Sequence, residues 1–320
     1  MSEYRETLSI VVPAYNEQDN IRRAAKEILA VMDENAIFAA VYFVDDGSTD
    51  DSWAEICRLS EEEPRVRGVH FSRNFGKESA IFAGLETAAG DCVAVMDCDL
   101  QHPPKTLAEM YRLWENGFEV IEGVKKSRGN ESALYKKMSE LFYSMMSAAT
   151  KGDMSRASDF KLLDRKAVDA VLSLPERDTF FRALSTWVGY KTASVEFDVQ
   201  ERMAGESKWS KLGLIRYAIN NVTSFTTKPL TIVLLLGSLF FVLALILGVE
   251  CLVTYLRHRA LEGFTTVILI ELIVGAIVMI SLGIIGIYVA KIYEEVKARP
   301  RYIIASTVGL VSRREHHDAV

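Results

Sequence analysis

Of 320 residues only four are cysteine, Cys57, Cys92, Cys98 and Cys251, and none stands at a spacing used by zinc ligands or a disulfide framework. That scarcity fits a reducing cytosol and excludes a cysteine-stapled fold. An excess of positive charge is lacking too. Lys and Arg number 37 against 43 Asp and Glu, and the resulting −6 is spread along the chain, so nucleic acid is not an expected partner. The opening residues, Met1 to Thr7, carry neither a basic n-region nor an apolar h-region, so no secretory leader is expected. Internal repeats and low-complexity tracts are absent.

Apolar sequence, by contrast, is concentrated in two blocks. Residues 230–256 and 264–290 are each long enough for a bilayer crossing, which takes roughly 20 residues. They lift the mean hydropathy to +0.11 although a quarter of the chain is charged. Lys208, Lys211, Arg216 and Lys228 precede the first block, and Lys291, Lys297, Arg299, Arg301, Arg313 and Arg314 follow the second. Only Arg257 and Arg259 lie between, so the positive-inside rule predicts two cytoplasmic ends joined by a short outside hairpin. A carboxylate at mid-bilayer costs about 2.5–3.5 kcal/mol on insertion scales. Glu250 is therefore expected near the outer interface, and Glu271 either there or paired between subunits.

Residues 209–226 put Leu212, Ile215, Ile219, Val222 and Phe225 on one helical face and run directly into Lys228-Pro229. This predicts a helix lying in the membrane interface. A similar period over 133–149, through Leu134, Met138, Leu141, Phe142 and Met145, reads as a core helix. The expected organisation is a cytoplasmic domain over 1–208, an interface helix over 209–228, a two-helix hairpin over 229–292 and a cytoplasmic tail over 293–320.

Within the first domain, Leu8–Val12, Ala40–Val44, Arg67–Phe71 and Cys92–Met96 read as buried strands. Helices are expected over about Glu17–Asp33, after the capping residues Ser48 and Thr49, and over Lys77–Ala88. Such βαβα order predicts an α/β fold with a mostly parallel, Rossmann-like sheet. Ligands of such sheets bind beyond the carboxyl ends of the strands. Every strand ends there in polar residues: Pro13-Ala14-Tyr15-Asn16-Glu17, Asp45-Asp46-Gly47-Ser48, Ser72-Arg73-Asn74-Phe75-Gly76-Lys77 and Asp97-Cys98-Asp99-Leu100-Gln101-His102. One such segment is an ordinary turn; four on one edge predict a nucleotide pocket. Its candidate residues are Pro13, Tyr15, Asn16, Glu17, Asp46, Asn74, Lys77, Asp97 and Cys98. Asp97 and Asp99 are paired hard oxygen ligands suited to Mg²⁺ or Mn²⁺, which keeps waters and bridges phosphates, although an acidic turn has the same spelling. His102 is expected as a solvated loop histidine.

These segments, in this order and spacing, resemble the inverting, GT-A-type nucleotide-sugar glycosyltransferases of family 2. Asp159-Phe160-Lys161-Leu162-Leu163-Asp164-Arg165, Trp187-Val188-Gly189-Tyr190-Lys191 and Arg202-Met203-Ala204-Gly205-Glu206-Ser207-Lys208-Trp209 narrow the likeness to the polyprenyl-phosphate branch. That branch includes bactoprenol glucosyltransferases and dolichol-phosphate mannose synthases, and the two C-terminal spans are similar to the former. Cys98 departs from the small Ala usual between the aspartates, and no Gln-x-x-Arg-Trp motif of the processive synthases occurs.

The resemblance implies that Pro13–Glu17 packs on the base, that Asp46 contacts the nucleoside, and that Asp97 and Asp99, with Gln101, hold the metal on the diphosphate. It makes Asp159, with Asp99, catalytic: Asp159 orients the acceptor or serves as a weak base, unless it merely caps the next helix or pairs with Arg165. Lys125, Arg128, Arg202 and Lys208 are the cations expected to gather the lipid phosphate, with Lys126 on a solvated face. A lipid monophosphate, with a second pKa of roughly 6, is already an anionic nucleophile and needs no strong base. The implied activity is metal-dependent, inverting transfer of a sugar from a UDP-sugar, glucose first, to undecaprenyl phosphate at the cytoplasmic leaflet, by a membrane-anchored tetramer. UDP-GlcNAc, GDP-mannose or an aminoarabinose nucleotide would keep the chemistry with another donor. From a different class, a catalytically silent nucleotide-sugar-binding partner of a flippase is the remaining reading.

Overall fold

The computed structural model of the chain describes residues 6–126, 158–176, 180–198, 226–257 and 264–310, with positions 144, 147 and 223. Two compact units emerge, one of residues 1–210 with 299–320 and one of 211–298.

The first unit opens with β1 (Leu8–Ala14), α1 (Gln18–Glu34), β2 (Ala39–Asp45), α2 (Ser52–Glu62), β3 (Val66–Phe71), α3 (Lys77–Thr87) and β4 (Cys92–Val95), the expected alternation. There follow α4 (Pro104–Glu115), β5 (Val120–Lys125), β6 (Lys161–Asp164), α5 (Arg165–Ser173), α6 (Phe181–Trp187) and β7 (Thr192–Phe197). A last strand, β8 (Ile304–Val308), completes an eight-stranded sheet of order β7-β5-β6-β4-β1-β2-β3-β8. Strands β4, β1, β2 and β3 run parallel, as do β5 and β7, whereas β6 and β8 are antiparallel to their neighbours. The mostly parallel α/β sheet expected of a GT-A arrangement is thus present, with antiparallel additions.

The parallel centre follows from composition. Every residue of β2 and β4 is buried, which requires cover on both faces. On one face α1 supplies Ile21, Ala24, Ala25, Ile28 and Met32, spaced at helical period, to the core with Ile10, Val41 and Phe43. On the other face α3 sits close to β1 because Gly84 lacks a side chain; a Cβ there would overlap Val11. Helix α2 begins later than its expected caps. Ser48 serves the loop instead, its hydroxyl donating to Asp45 and accepting the Asn16 N–H.

Strand β8 falls where the sequence predicts only a tail. It pairs with β3 through Gly68↔Val308 and His70↔Ser306, and Tyr302 stacks on Phe71 with ring centroids 4.9 Å apart. In the second unit, α7 (Lys228–Leu256) and α8 (Phe264–Lys297) are long and apolar enough to cross a membrane, with mean hydropathies of 3.0 over Pro229–Leu247 and 2.5 over Ile273–Lys297. The Tyr288 hydroxyl donates to the Thr226 carbonyl at 2.7 Å. The amphipathic stretches 133–149 and 209–226 lie outside the described residues except for isolated positions.

Candidate active site

The carboxyl ends of β1, β2, β3 and β4 form one rim. Asn16, just past β1, is left-handed at φ 55°. Its side-chain oxygen accepts the Thr49 N–H at 2.9 Å, and its own N–H donates to Ser48. The Glu17 N–H donates to the Ser52 hydroxyl at 2.9 Å, so the first two loops are sewn together. Asp46 is buried and ties the second loop to the third, accepting the Phe75 N–H at 2.6 Å and the Gly76 N–H at 2.9 Å. Burial lifts its carboxyl above the ordinary range although those amides oppose the shift. Gly47, at φ +66°, passes so close to the Arg73 backbone that a Cβ would overlap it. Pro13 is half-buried, and Tyr15 and Asn74 are exposed on this rim.

Past β4 the chain delivers Asp97 and Asp99. Leu100, buried yet left-handed at φ 55°, turns the loop, and the Gln101 N–H donates to the Asp99 carboxylate at 3.1 Å. A bulky side chain in this region is strained, and such strain collects at functional loops. Two of the four non-glycine residues with positive φ among those described, Asn16 and Leu100, therefore stand on one rim.

Asp159, immediately before β6, enters from the antiparallel part of the sheet. Lys77, expected on the nucleotide, bridges the two sides: its ammonium lies 2.6 Å from Asp97 and 3.0 Å from Asp159. Arg182 of α6 grips Asp159 with both arms, Nε to Oδ1 at 2.6 Å and Nη2 to Oδ2 at 2.8 Å. Burial opposes the charge on Asp159, but Arg182 and Lys77 outweigh it and hold the carboxyl well below the usual carboxylate range. Burial likewise opposes the charge on Lys77, and Asp97 and Asp159 more than restore it. Glu78, half-buried beside this cluster, accepts the Phe181 N–H at 2.9 Å. Burial first, and then the charge on Asp159, push its carboxyl up to about 7.

Several expectations are corrected. Asp159 does not pair with Arg165, whose guanidinium donates to the carbonyls of Ala88 and Gly90. Nor does it cap α5; Asp164 does so, accepting the Lys166 N–H at 3.0 Å. His102 is not solvated: it is 5% exposed and stacked on Phe160 at 4.7 Å between centroids. The Cys98 side chain packs into the core and is not exposed on the rim. Lys125 is exposed at the end of β5, and Lys126 pairs with Asp198 at 3.0 Å on the surface. Arg128, Arg202 and Lys208 lie outside the described residues. Arg182 and Glu78 are functional candidates that the sequence does not announce, because an arginine in Phe180-Phe181-Arg182-Ala183 carries no local signal of its distant partner.

Among the described residues no group of three or more His, Cys, Asp and Glu closes into a metal-ligand set. Asp97 and Asp99 nonetheless fit Mg²⁺ or Mn²⁺, which are commonly bound by one or two carboxylates, with waters and substrate phosphates completing the shell. The Asp97 side chain keeps 33% of its surface accessible, so a bridging phosphate can reach it.

The sequence profile of glycosyl transferase family 2 matches residues 9–172. An uncharacterised glycosyltransferase of Bacillus subtilis is 35% identical over 316 residues, 97% of each chain. A prophage bactoprenol glucosyl transferase homologue of Escherichia coli is 33% identical over 299 residues, 93% of this chain and 98% of that one. The bactoprenol glucosyl transferase of Shigella phage SfII is 32% identical, over 93% and 97%. Among solved structures, glucosyl-3-phosphoglycerate synthase of Mycobacterium tuberculosis with Mn²⁺, UDP and glucosyl-3-phosphoglycerate shares 20% identity at a TM-score of 0.46, over 68% of this chain and 77% of that one. With the family profile covering half the chain and relatives matching nearly end to end, the chain belongs to glycosyl transferase family 2 and is a glycosyltransferase.

Proposed function

We propose that this protein transfers glucose from UDP-glucose to undecaprenyl phosphate at the cytoplasmic face of a membrane. One observation carries the reading: a single ammonium, that of Lys77, touches both Asp97, which this reading assigns to the donor, and Asp159, which it assigns to the acceptor. A departing diphosphate and an incoming phosphate therefore meet within one side chain's reach. The names of the E. coli and phage relatives support a bactoprenol acceptor and a glucosyl donor.

In this mechanism the rim loops, Pro13–Glu17 and the Asp46–Asn74 pair of turns, receive the nucleoside. Asp97, Asp99 and Gln101 would hold Mg²⁺ or Mn²⁺, which supplies Lewis-acid neutralisation of the diphosphate when bound. Lys77 exchanges Asp97 for a diphosphate oxygen as the donor arrives and keeps its contact with Asp159. The acceptor phosphate, with a second pKa of about 6, arrives as a nucleophile. Asp159, held ionised by Arg182 and Lys77, orients the reactants instead of taking a proton. Lys125, Arg128, Arg202 and Lys208 gather the lipid phosphate, arginine being suited to bidentate contact. Attack opposite the leaving group inverts the anomeric carbon and yields a β-linked lipid phosphosugar. Helices α7 and α8 anchor the enzyme where its lipid-borne acceptor resides.

The test is to offer the purified full chain UDP-glucose, UDP-GlcNAc, GDP-mannose and an aminoarabinose nucleotide with undecaprenyl phosphate and Mg²⁺ or Mn²⁺. Mass spectrometry of the lipid phase is expected to show a hexosyl product from UDP-glucose that chelation abolishes. No lipid-linked sugar from any donor would overturn the proposal.

A further inference from the structure

Arg182 has a setting unlike that of an ordinary surface arginine. It sits on α6, a seven-residue helix, and the backbone around it is held by the side chains of Glu78 and Lys161. Glu78, at the start of α3, accepts the N–H of Phe181. Lys161, fully buried on β6, donates to the Arg182 carbonyl and to the Thr186 hydroxyl, each at 3.3 Å. Lys161 is itself neutralised by Glu122 on β5 at 2.5 Å. A fully buried charge such as that of Lys161 is tolerated only when it is paired and hydrogen-bonded. Both contacts, from Glu78 and from Lys161, end on the backbone of α6. Their common effect is to fix the main chain from which the Arg182 fork reaches Asp159.

The fork engages both oxygens of Asp159, and Lys77 takes a second bond to one of them. Bidentate pairing sets the plane of a carboxylate as well as its charge, which a single ammonium cannot do. We propose that Arg182 is a positioning residue for glycosyl transfer, fixing the plane and charge of Asp159 so that the carboxylate organises the acceptor side of the site. The inference rests on the reaction proposed above and deepens it: Asp159 works as a fixed anion, and Arg182 acts through it. Glu78 and Lys161 hold Arg182 in turn.

A double-mutant cycle tests this. The full-length protein in lipid nanodiscs is assayed as wild type, Arg182→Gln, Asp159→Asn and both together, with UDP–Mn²⁺ affinity measured by calorimetry. Loss of alignment at a reacting centre costs on the order of 100-fold, so Arg182→Gln is expected to lower kcat by about that factor. Donor KM and UDP affinity should stay within about threefold of wild type. Residues that act as a unit are non-additive, so the double variant should fall no further than the worse single. Arg182→Lys keeps the charge but loses the fork. It should recover only part of kcat, and it replaces Arg182→Gln in the cycle should the latter not fold. Losses that multiply in the double variant would overturn the inference, as would a kcat within about threefold of wild type for Arg182→Gln. A raised donor KM with kcat spared would do the same. All rates are ratios to wild type on the donor and acceptor that the panel identifies. A wrong acceptor therefore shows in the wild type, and a wrong role for Arg182 only in the cycle.

Discussion

Asp97 and Asp159 touch the same ammonium, yet they are built in opposite ways. The Asp97 side chain is 33% exposed, stands at the end of a parallel strand and meets Lys77 on one oxygen. The Asp159 side chain is 8% exposed and carries three charge-assisted hydrogen bonds from Lys77 and Arg182 over both oxygens. The first can give up its ammonium and take another cation; the second cannot accept a ligand or proton without breaking the ion pairs that hold it. One half of the site is made for exchange and the other for permanence. That division suits a reaction in which a diphosphate must come and go, while the nucleophile arrives already charged.

The harshest way to break the comparison is to remove the exchangeable half. Asp99→Ala should lower incorporation of labelled sugar into the lipid phase by about 1000-fold, the scale of losing a principal stabiliser of developing charge. Equal incorporation by variant and wild type would remove the metal role. Asp159→Asn should cost about 100-fold in kcat with Mn²⁺ affinity unchanged, because the fixed half does not bind the ion. Coupled loss of Mn²⁺ affinity would merge the two halves into one.

Lys77→Met sharpens the contrast. Without its internal ammonium, Asp97 should bind Mn²⁺ more tightly before donor arrives, by about tenfold if one ion pair of about 1.4 kcal/mol is relieved. Transfer should fall at the same time. Electron paramagnetic resonance of free Mn²⁺ reads the affinity, and unchanged affinity would mean that Lys77 does not compete.

A smaller effect concerns pH. Glu78 faces Asp159, Lys77, Arg182 and the Phe181 amide, and in the folded state it holds its proton up to about 7, against 4.5 ordinarily. Between those values the folded state binds more protons than the unfolded one, so Glu78 makes stability fall as pH rises through that window. Glu78→Gln cannot titrate and should flatten that slope in melts from pH 5 to 8; parallel curves would contradict the assignment.

The same contrast explains what was legible in the sequence. The exchangeable half stands on β1–β4, whose largely apolar runs announce strands, and each run is followed by its polar loop. Asp97 and Asp99 are legible because they stand within a few residues of the end of a buried strand. The fixed half is assembled across the chain. Arg182 lies 23 positions from Asp159 in sequence, and Lys77 lies 82 away, so no local pattern joins them. The burial of His102 is illegible for a related reason: its loop folds under Phe160, which precedes β6, and Phe197 of β7, both far along the chain. Strand β8 is five residues long, follows the apolar helices and has no alternation strong enough to mark it. Its partner β3 is far away in sequence, and Tyr302 on Phe71 shows the join only in three dimensions.

The most direct measurement is anomalous diffraction at the manganese edge from crystals of the full chain grown with UDP and Mn²⁺. A single peak between the Asp97 and Asp99 carboxylates, in contact with the diphosphate, is the predicted result. Diphosphate bound on the rim with the manganese peak away from both aspartates would contradict it.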